Sequence, residues 1–271
     1  MKLIISSAVG NFDEKVCKTW KLEKWFGIKD PDKELLFFGL YVDYDYNIFY
    51  NFDGKKTVFW CGSDILRLLQ DHERQRKLKL FPETEHYCEN EVEARELESV
   101  GLKPIIRPSF VEDIDNFPIS FKPTDNPHVF LSGHPMREEE YGFGLAERLA
   151  EKLPEFTFHL YGGDYESEFT NVKCHGKVPA DQFNEEIKNY QCGLRPNDHD
   201  GFSEITAKSV LMGQYPISKI PYKHIWNYQT EDELVELLKK IKEQKTPNSE
   251  AREYWRETLN NYPWTNGKKN I

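Results

Sequence analysis

The sequence predicts an α/β protein built from two halves, each organised around a parallel sheet. Short apolar runs typical of strands alternate with amphipathic helical patterns along the chain, as expected for strands joined by crossover helices. No internal repeat of fixed period is visible, which argues against a solenoid. Residues 111–127 hold three prolines and no periodicity, so they predict the boundary between a first domain, 1–120, and a second, 121–271.

The elements follow from these patterns in chain order. In the first half we predict strands at 2–9, 33–42, 55–62, 85–90 and 103–110, with helices at 63–78 and 91–101, the last ending at a glycine. In the second half we predict strands at 128–133, 156–163, 171–178, 191–197 and 215–220, with helices at 142–154, 180–190, 203–213, 231–244 and 249–262. The last helix is a candidate to pack back on the first domain.

Composition narrows the classes of function. The 271 residues carry a net charge of −10, which disfavours general nucleic-acid binding. No stretch approaches 18 apolar residues, and the N-terminus is too short for a signal sequence. The basic run at 239–245 indicates the solvated end of a helix, and it would support at most a peripheral contact with a membrane. Five cysteines without ligand spacing indicate reduced thiols and a cytoplasmic protein.

The richest turn after a predicted strand is 195–204, "RPNDHDGFSE". Gly201 permits a tight turn, and Ser203 is a good N-cap for the helix that follows. The first amides of that helix, with the positive end of its dipole, would suit a phosphate. Asp200 would suit a hydroxylated group beside it, so a sugar diphosphate meets both demands. The alternative is an ordinary capped helix that binds nothing.

Several motifs recur together in the second half: "VFLSGHPMR", "HGKVPADQFNEEIKNYQCGLRPNDHDGFSE" and "MGQYPIS". In this order they resemble the C-terminal, donor-binding domain of retaining GT-B glycosyltransferases of the glycogen-synthase-like and WaaG-like kind. "VFWCGSDIL" and "EHYCENEVEARELESVGLKPIIRPSF" resemble a shortened N-terminal domain of that family. The resemblance implies two Rossmann-like domains facing a cleft, with a nucleotide-sugar donor on the second domain and the acceptor on the first.

The resemblance assigns two positions to a pair of donor-binding glutamates. The first is Asp200, a shorter carboxylate that would orient the sugar. The second is Lys208, a departure, because an ammonium group cannot accept a hydrogen bond from ribose. Lys208 could instead donate to a hydroxyl or a phosphate, or form a surface ion pair with Glu204 four residues earlier.

Arginines are expected to neutralise the leaving diphosphate. Arg137 is our first candidate, with Tyr141 near the position where the family has a lysine; the alternative is a solvated charge among three glutamates. Arg195 is the second candidate because its planar fork suits phosphate. It could equally pair with Asp198 or Asp200 and brace the loop.

The remaining candidates lie in turns after strands. For the donor the resemblance points to Gly10, Gly133, His134, Lys177, Val178, His199, Gly201, Phe202, Ser203 and Glu204. For the acceptor, Ser63 and Asp64 are candidates, although either could simply cap a helix, and the aromatic stretch 41–52 is a weaker one. No metal is predicted, since "DYD" at 43–45 is not a compelling motif and the eight histidines lack ligand spacing.

We therefore hypothesise a metal-independent glycosyltransferase that moves a sugar from a nucleoside diphosphate sugar to a hydroxyl acceptor, with retention. Two rivals stay open: a non-catalytic nucleotide-sugar or glycan-binding protein, and a sugar-nucleotide epimerase. A dinucleotide oxidoreductase is disfavoured because "AVGNFDE" after the first strand is not the glycine fingerprint.

Overall fold

The computed structural model describes residues 1–27 and 33–264, so the last seven residues of the predicted second domain lie outside the described part. The chain divides into two compact units. Unit 1 contains Met1–Asp113, His199–Phe202 and the described residues from Thr258 onward. Unit 2 contains Ile114–Asp198 and Ser203–Glu257. The division falls at 113/114 rather than 120/121, and two parts of the second half, His199–Phe202 and the residues from Thr258 onward, are assigned to unit 1.

Unit 1 is built on a six-stranded parallel sheet. Its strands are β1 (Lys2–Ile5), β2 (Glu23–Lys24), β3 (Glu34–Phe38), β4 (Lys55–Phe59), β5 (Glu85–Cys88) and β6 (Pro104–Ile106), in the order β2-β1-β3-β4-β5-β6. The helices are α1 (Asp13–Trp20), α2 (Asp43–Asn51), α3 (Ser63–Leu69), α4 (His72–Leu78) and α5 (Glu91–Ser99). Phe37 and Leu68 pack on one face and Trp20 and Phe59 on the other, as expected for a sheet covered on both sides.

Several segments of unit 1 differ from the elements predicted for them. The first strand ends at Ile5, and Ser7–Phe12 forms a 3₁₀ helix. The aromatic stretch 41–52 contains a helix, α2. The predicted helix 63–78 is broken into α3 and α4, because the Asp71 side chain accepts a hydrogen bond from the Arg74 amide (3.0 Å) and starts a new helix.

Unit 2 has a second six-stranded parallel sheet. Its strands are β7 (His128–Ser132), β8 (Thr157–Tyr161), β9 (Val172–Gly176), β10 (Cys192–Arg195), β11 (Ile217–Ser218) and β12 (Trp226–Asn227). The order is β12-β11-β10-β7-β8-β9, which is the doubly wound order of dinucleotide-binding folds. The chain reverses direction across the sheet between β7 and β10. Ligands of such sheets bind at the carboxyl ends of the strands that flank this switch point.

The helices of unit 2 are α6 (Phe143–Lys152), α7 (Ala180–Glu186), α8 (Glu204–Leu211), α9 (Glu231–Glu243) and α10 (Ser249–Leu259), whose last two residues are assigned to unit 1. Among them α9 shows most directly how sequence sets local structure. Thr230 and Glu233 form a capping box at its start, and Leu234, Leu238 and Ile241 form the buried stripe. No helix in the described part of the chain is both long and apolar enough to cross a bilayer.

A row of imidazoles crosses one face of the unit 2 sheet. His128 Nδ1 lies 2.8 Å from His159 Nε2, and His159 Nδ1 lies 2.9 Å from His175 Nε2. Tyr190 stacks on His159, with ring centroids 4.2 Å apart. Burial lowers the pKa of all three histidines and takes that of His159 to about 3. The row is therefore uncharged at neutral pH.

Candidate functional site

The loop after β7 carries Arg137 at the carboxyl end of the sheet. Its guanidinium forms an ion pair with Glu140 and lies 5.4 Å from the centre of the Tyr141 ring. The Arg137 side chain is 52% exposed, so an incoming anion could compete for it with Glu140. Gly142 ends the loop with a φ of 80°, and a Cβ there would overlap Pro196. Only glycine fits this approach between the loops that follow β7 and β10.

Arg195 is the last residue of β10 and lies on the other side of the switch point. Its Nη1 donates to the Ser132 carbonyl (3.1 Å), and its guanidinium lies 4.5 Å from the centre of the same Tyr141 ring. Asp198, one of the two partners considered for Arg195, pairs with Lys219 at 2.6 Å. Both predicted arginines therefore converge on Tyr141, where a doubly wound sheet binds its ligand.

The other predicted residues of unit 2 are spread along the same edge. Gly133 follows β7 directly, and its amide donates to the Tyr161 carbonyl (2.8 Å). His134 is exposed, with Nδ1 2.7 Å from the Pro135 carbonyl. Lys177 and Val178 follow β9, which lies two strands from β7, about 10 Å away. Gly133 and His134 thus neighbour the arginines, whereas Lys177 and Val178 lie at the edge of the sheet.

The N-terminus of α8 confirms the predicted cap. The Ser203 hydroxyl accepts a hydrogen bond from the Thr206 amide (3.2 Å). Lys208 pairs with Glu204 at 3.3 Å, but the predicted surface location is wrong, because the Lys208 side chain is only 2% exposed. Its ammonium lies 5.2 Å from the centre of the Phe183 ring and 5.8 Å from that of Phe117. Lys208 is an enclosed residue of unit 2 and does not offer its charge to solvent.

Residues 199–202 are held by unit 1. The Asp200 carbonyl accepts from Asn90 Nδ2 (2.7 Å), and His199 Nε2 lies 2.8 Å from Glu96 Oε2. Phe202 is buried, and its amide donates to Glu89 Oε2 (3.2 Å). A Cβ on Gly201 would overlap the same Glu89 oxygen. The segment that carries the predicted sugar-orienting carboxylate is thus fixed through its backbone.

Glu89, which holds the segment, and its neighbour Glu93 were not among the sequence candidates. Glu89 Oε1 accepts from both the amide (2.9 Å) and the hydroxyl (2.6 Å) of Ser109, and Glu93 Oε2 accepts from the Glu89 amide (2.7 Å). Burial raises the pKa of both carboxyls. One signal was available: Glu89 follows β5 directly, where parallel sheets place functional groups.

Asp64 does not fit the acceptor role predicted for it. The residue is fully buried, and its carboxylate accepts hydrogen bonds from the amides of Leu40, Cys61 and Ile65. Burial raises its pKa to about 6. Asp64 is therefore a structural brace, because a fully buried carboxylate that accepts from three amides is not accessible to a sugar hydroxyl. Ser63 is exposed at the first residue of α3.

The structure also locates two other predicted site regions of unit 1, the stretch 41–52 and Gly10. In the stretch 41–52, Asp45 is buried and accepts from the Ser6 hydroxyl (2.6 Å) and from the amides of Tyr41 and Val42, so it also braces a turn. Gly10 lies exposed in the 3₁₀ helix after β1, with open space where a side chain would be. Its position after β1 is next to the switch point of this sheet, between β1 and β3.

No protein-family model and no curated protein sequence matches the chain. Solved structures do match it. Sucrose-phosphate synthase from Thermosynechococcus elongatus is 12% identical with a TM-score of 0.62, over 86% of this chain and 71% of that one. HepE from Anabaena, solved with UDP and glucose, is 12% identical with a TM-score of 0.61, over 93% and 79%. Pneumococcal O-GlcNAc transferase GtfA, solved with UDP and GlcNAc, is 12% identical with a TM-score of 0.55.

These structures are glycosyltransferases, and the likeness shows the fold: the chain has the GT-B fold with its two Rossmann-like sheets, as the motifs predicted. The match to GtfA covers 84% of this chain but 54% of that one, so the chain spans about half the length of that relative. At 12% identity the likeness is one of backbone fold. The side chains at the switch point therefore determine which chemistry this chain can perform.

Proposed function

We propose that the chain is a glycosyltransferase that moves a sugar from a nucleoside diphosphate sugar to a hydroxyl group of an acceptor. The observation that carries this proposal is the convergence of Arg137 and Arg195 on Tyr141, at the switch point of unit 2. Two guanidinium groups at the carboxyl ends of β7 and β10 suit a diphosphate, because each guanidinium can form two parallel hydrogen bonds with a phosphate group. The solved structures of HepE and GtfA with UDP make uridine diphosphate the first nucleotide to test.

In the proposed reaction the bond between the sugar and the diphosphate breaks, and negative charge grows on the leaving phosphate. Arg195 and Arg137 stabilise that charge, together with the N-terminus of α8 that Ser203 caps. Asp200 orients the sugar. No protein nucleophile is assigned. The acceptor oxygen bonds to the anomeric carbon of the sugar on the face that the diphosphate leaves, and the leaving phosphate accepts the hydroxyl proton, which gives retention of configuration without a metal ion.

Two further features of the proposal are independent of the site. All five cysteines are free thiols, which suits a reducing compartment and supports a cytoplasmic location. The acceptor is a hydroxyl-bearing molecule such as a glycan, a lipid-linked sugar or a small molecule. Ser63, exposed at the start of α3, is the remaining acceptor-side candidate.

Lys208 favours a second candidate function. Its ammonium is enclosed by Glu204 and two aromatic rings, so it cannot take the place of a carboxylate that binds ribose. A protein that binds a nucleotide sugar or a glycan without turning it over would tolerate this loss. The function test therefore has to separate binding from transfer.

The test combines nucleotide binding by calorimetry with product analysis. We expect UDP or another nucleoside diphosphate to bind, and Arg195→Ala and Arg137→Ala each to weaken binding by about tenfold or more, the effect of losing one charge-assisted pair. Arg148→Ala is the matched control, since Arg148 pairs with Glu231 on the outer surface of unit 2. Binding that is equally strong in the two arginine variants would refute the assignment of the site.

Product analysis separates the alternatives. Donor consumption with a hydroxyl acceptor, unchanged by EDTA, supports metal-independent transfer. Binding without any donor consumption over a panel of glycan and small-molecule acceptors supports the binding protein. Conversion of the donor to its epimer without acceptor supports the epimerase.

A further inference from the structure

We propose that Glu89 and Glu93 form a one-proton pair, in which the Glu89 carboxylate positions residues 199–202 and Glu93 carries the proton. Both side chains lie beyond the carboxyl end of β5, and both are buried. They are positioning residues, since they act on the segment that carries His199 and Asp200. The step from this segment to sugar transfer rests on the proposed function, whereas the pair itself rests on the geometry of unit 1.

The contacts of Glu89 favour the ionised form. Oε1 accepts from the amide and the hydroxyl of Ser109, and Oε2 accepts from the amide of Phe202. A backbone N–H can only donate, so each oxygen faces a donor. A proton on Oε2 would set a donor against the Phe202 amide, and a proton on Oε1 would reverse the Ser109 hydroxyl and leave the carboxyl one hydrogen bond weaker as an acceptor. Glu89 is therefore the member of the pair that stays charged.

The segment is shaped to this carboxylate. Gly201 lies against Glu89 Oε2 so closely that a Cβ would overlap it. Beside it, Asn90 donates from Nδ2 to the Asp200 carbonyl (2.7 Å), and the Asn90 Oδ1 accepts from the amides of Val92 and Glu93 at the start of α5. The backbone of 200–202 is thus held at two points by consecutive residues after β5.

Glu93 has the opposite environment. It is 0% exposed, its Oε2 accepts one hydrogen bond, from the Glu89 amide, and its Oε1 makes no hydrogen bond within the described residues. A second buried negative charge beside Glu89, with one donor to stabilise it, is far costlier than a neutral acid. The proton therefore belongs on Glu93.

The titratable groups that face the pair reinforce this assignment. Tyr41 and Cys61 lie in the turns after β3 and β4, and Asp64 lies in α3. Cys88 ends β5, Asp200 lies in the segment 199–202, and Tyr262 lies in the C-terminal part of unit 1. All six are acids, thiols or phenols; Arg107, whose charge lowers the pKa of Tyr262, is a cation beside this group. Burial and the neighbouring Glu89 charge accordingly raise the pKa of Glu93 well above its ordinary value.

Loss of the proton at alkaline pH would add a second buried negative charge near the Glu89 carboxylate. The repulsion would weaken the hold of Glu89 on Phe202, and the segment would open while the rest of unit 1 stays folded. With the proposed function, His199 and Asp200 would then lose their orientation, and donor binding would fall as pH rises.

The experiment is hydrogen exchange of the peptide that covers 199–202, followed by mass spectrometry from pH 6 to 9 and corrected for the intrinsic pH dependence of exchange. In the unsubstituted chain we expect exchange of the Phe202 amide to accelerate by about tenfold or more at alkaline pH, as for loss of one charge-assisted hydrogen bond. Glu93→Gln imitates the protonated acid and should abolish the acceleration. Glu89→Gln should exchange fast at every pH.

Glu91→Gln is the matched control, because Glu91 is an exposed acid of the same helix, and it should behave as the unsubstituted chain. Should Glu89→Gln fail to fold, Glu93→Gln still decides the question. An unchanged alkaline acceleration in Glu93→Gln, or no acceleration in the unsubstituted chain, overturns the proposal. UDP binding measured on the same samples is a separate readout: a pH-switched segment without nucleotide binding refutes the proposed function and leaves the proton pair standing.

Discussion

At the residue scale, Gly201 shows how the absence of a side chain lets residues 199–202 pack directly against Glu89. Gly201→Ala would push a Cβ into the Glu89 carboxylate, so the segment or the carboxylate has to move. We expect a loss of about 1–3 kcal/mol in the free energy of unfolding, the usual cost of overpacking. Urea denaturation measures it. Gly10→Ala is the control, because its Cβ meets open space, and it should change stability by less than about 0.5 kcal/mol.

Lys208 gives a second prediction at this scale. Lys208→Met keeps the volume and leaves Glu204 partly exposed to water, so the unfolding free energy should change by less than about 1.5 kcal/mol. Lys208→Glu restores the carboxylate that the family resemblance expects, but it buries that charge between Phe117 and Phe183 and opposite Glu204. We expect a loss of about 3 kcal/mol. Equal stability of the two variants in urea denaturation would contradict this account.

At the element scale, substitutions of Ser203 at the start of α8 can distinguish its effect on helix stability from its effect on ligand binding. Ser203→Ala removes the acceptor for the Thr206 amide and should cost about 1 kcal/mol of unfolding free energy. Ser203→Asp keeps a capping oxygen, so its stability should stay close to that of the unsubstituted chain. Its negative charge should nevertheless repel a diphosphate at the helix N-terminus.

Thermal unfolding without ligand and calorimetry with UDP measure the two effects. If Ser203→Asp bound UDP as tightly as the unsubstituted chain, the N-terminus of α8 would not be the phosphate site.

The sequence predicted most strands, the doubly wound alternation and the cap at Ser203, because these depend on short-range patterns. It missed the break between α3 and α4, where the Asp71 side chain restarts a helix inside a continuous apolar period. It also assigned Asp64 to the acceptor, since burial of a carboxylate by three amides leaves no trace in a local pattern. Glu89 was missed for a similar reason: its partners, Ser109 and Phe202, lie 20 and 113 residues away.

At the scale of the whole molecule, the two units are expected to respond to acid with opposite sign. The pKa of His159 is lowered to about 3, so in unit 2 the unfolded state binds more protons below about pH 6.5. Stability contributed by the neutral imidazoles is full above that pH and is lost as pH falls toward 3. In unit 1 burial lowers the pKa of His86 to about 4, but it raises that of Asp64 to about 6 and also raises those of Glu89 and Glu93. The three carboxyls outweigh the one imidazole, so the folded unit binds more protons in mild acid and its stability rises as pH falls.

Hydrogen exchange of the core strands at pH 7 and pH 5, corrected for intrinsic rates, tests this prediction. Peptides of β7 and β8 should lose protection at pH 5 relative to peptides of β4 and β5. His159→Phe keeps a ring against Tyr190 and removes the titrating group, so it should reduce the difference between the units. A larger loss of protection in β4 and β5 than in β7 and β8 between pH 7 and pH 5 would contradict the prediction.

The assignment of residues 199–202 to unit 1 restricts how GT-B proteins can recombine their two halves in evolution. Residues 199–202 are encoded in the second half, yet they belong to unit 1. A recombination that replaced everything after residue 113 with the corresponding half of another GT-B protein would bring in a new residue 201 opposite an unchanged Glu89. A newcomer with a side chain at that position would lose stability as expected for Gly201→Ala, so positions 89 and 201 should tend to be inherited together although they are distant in the gene.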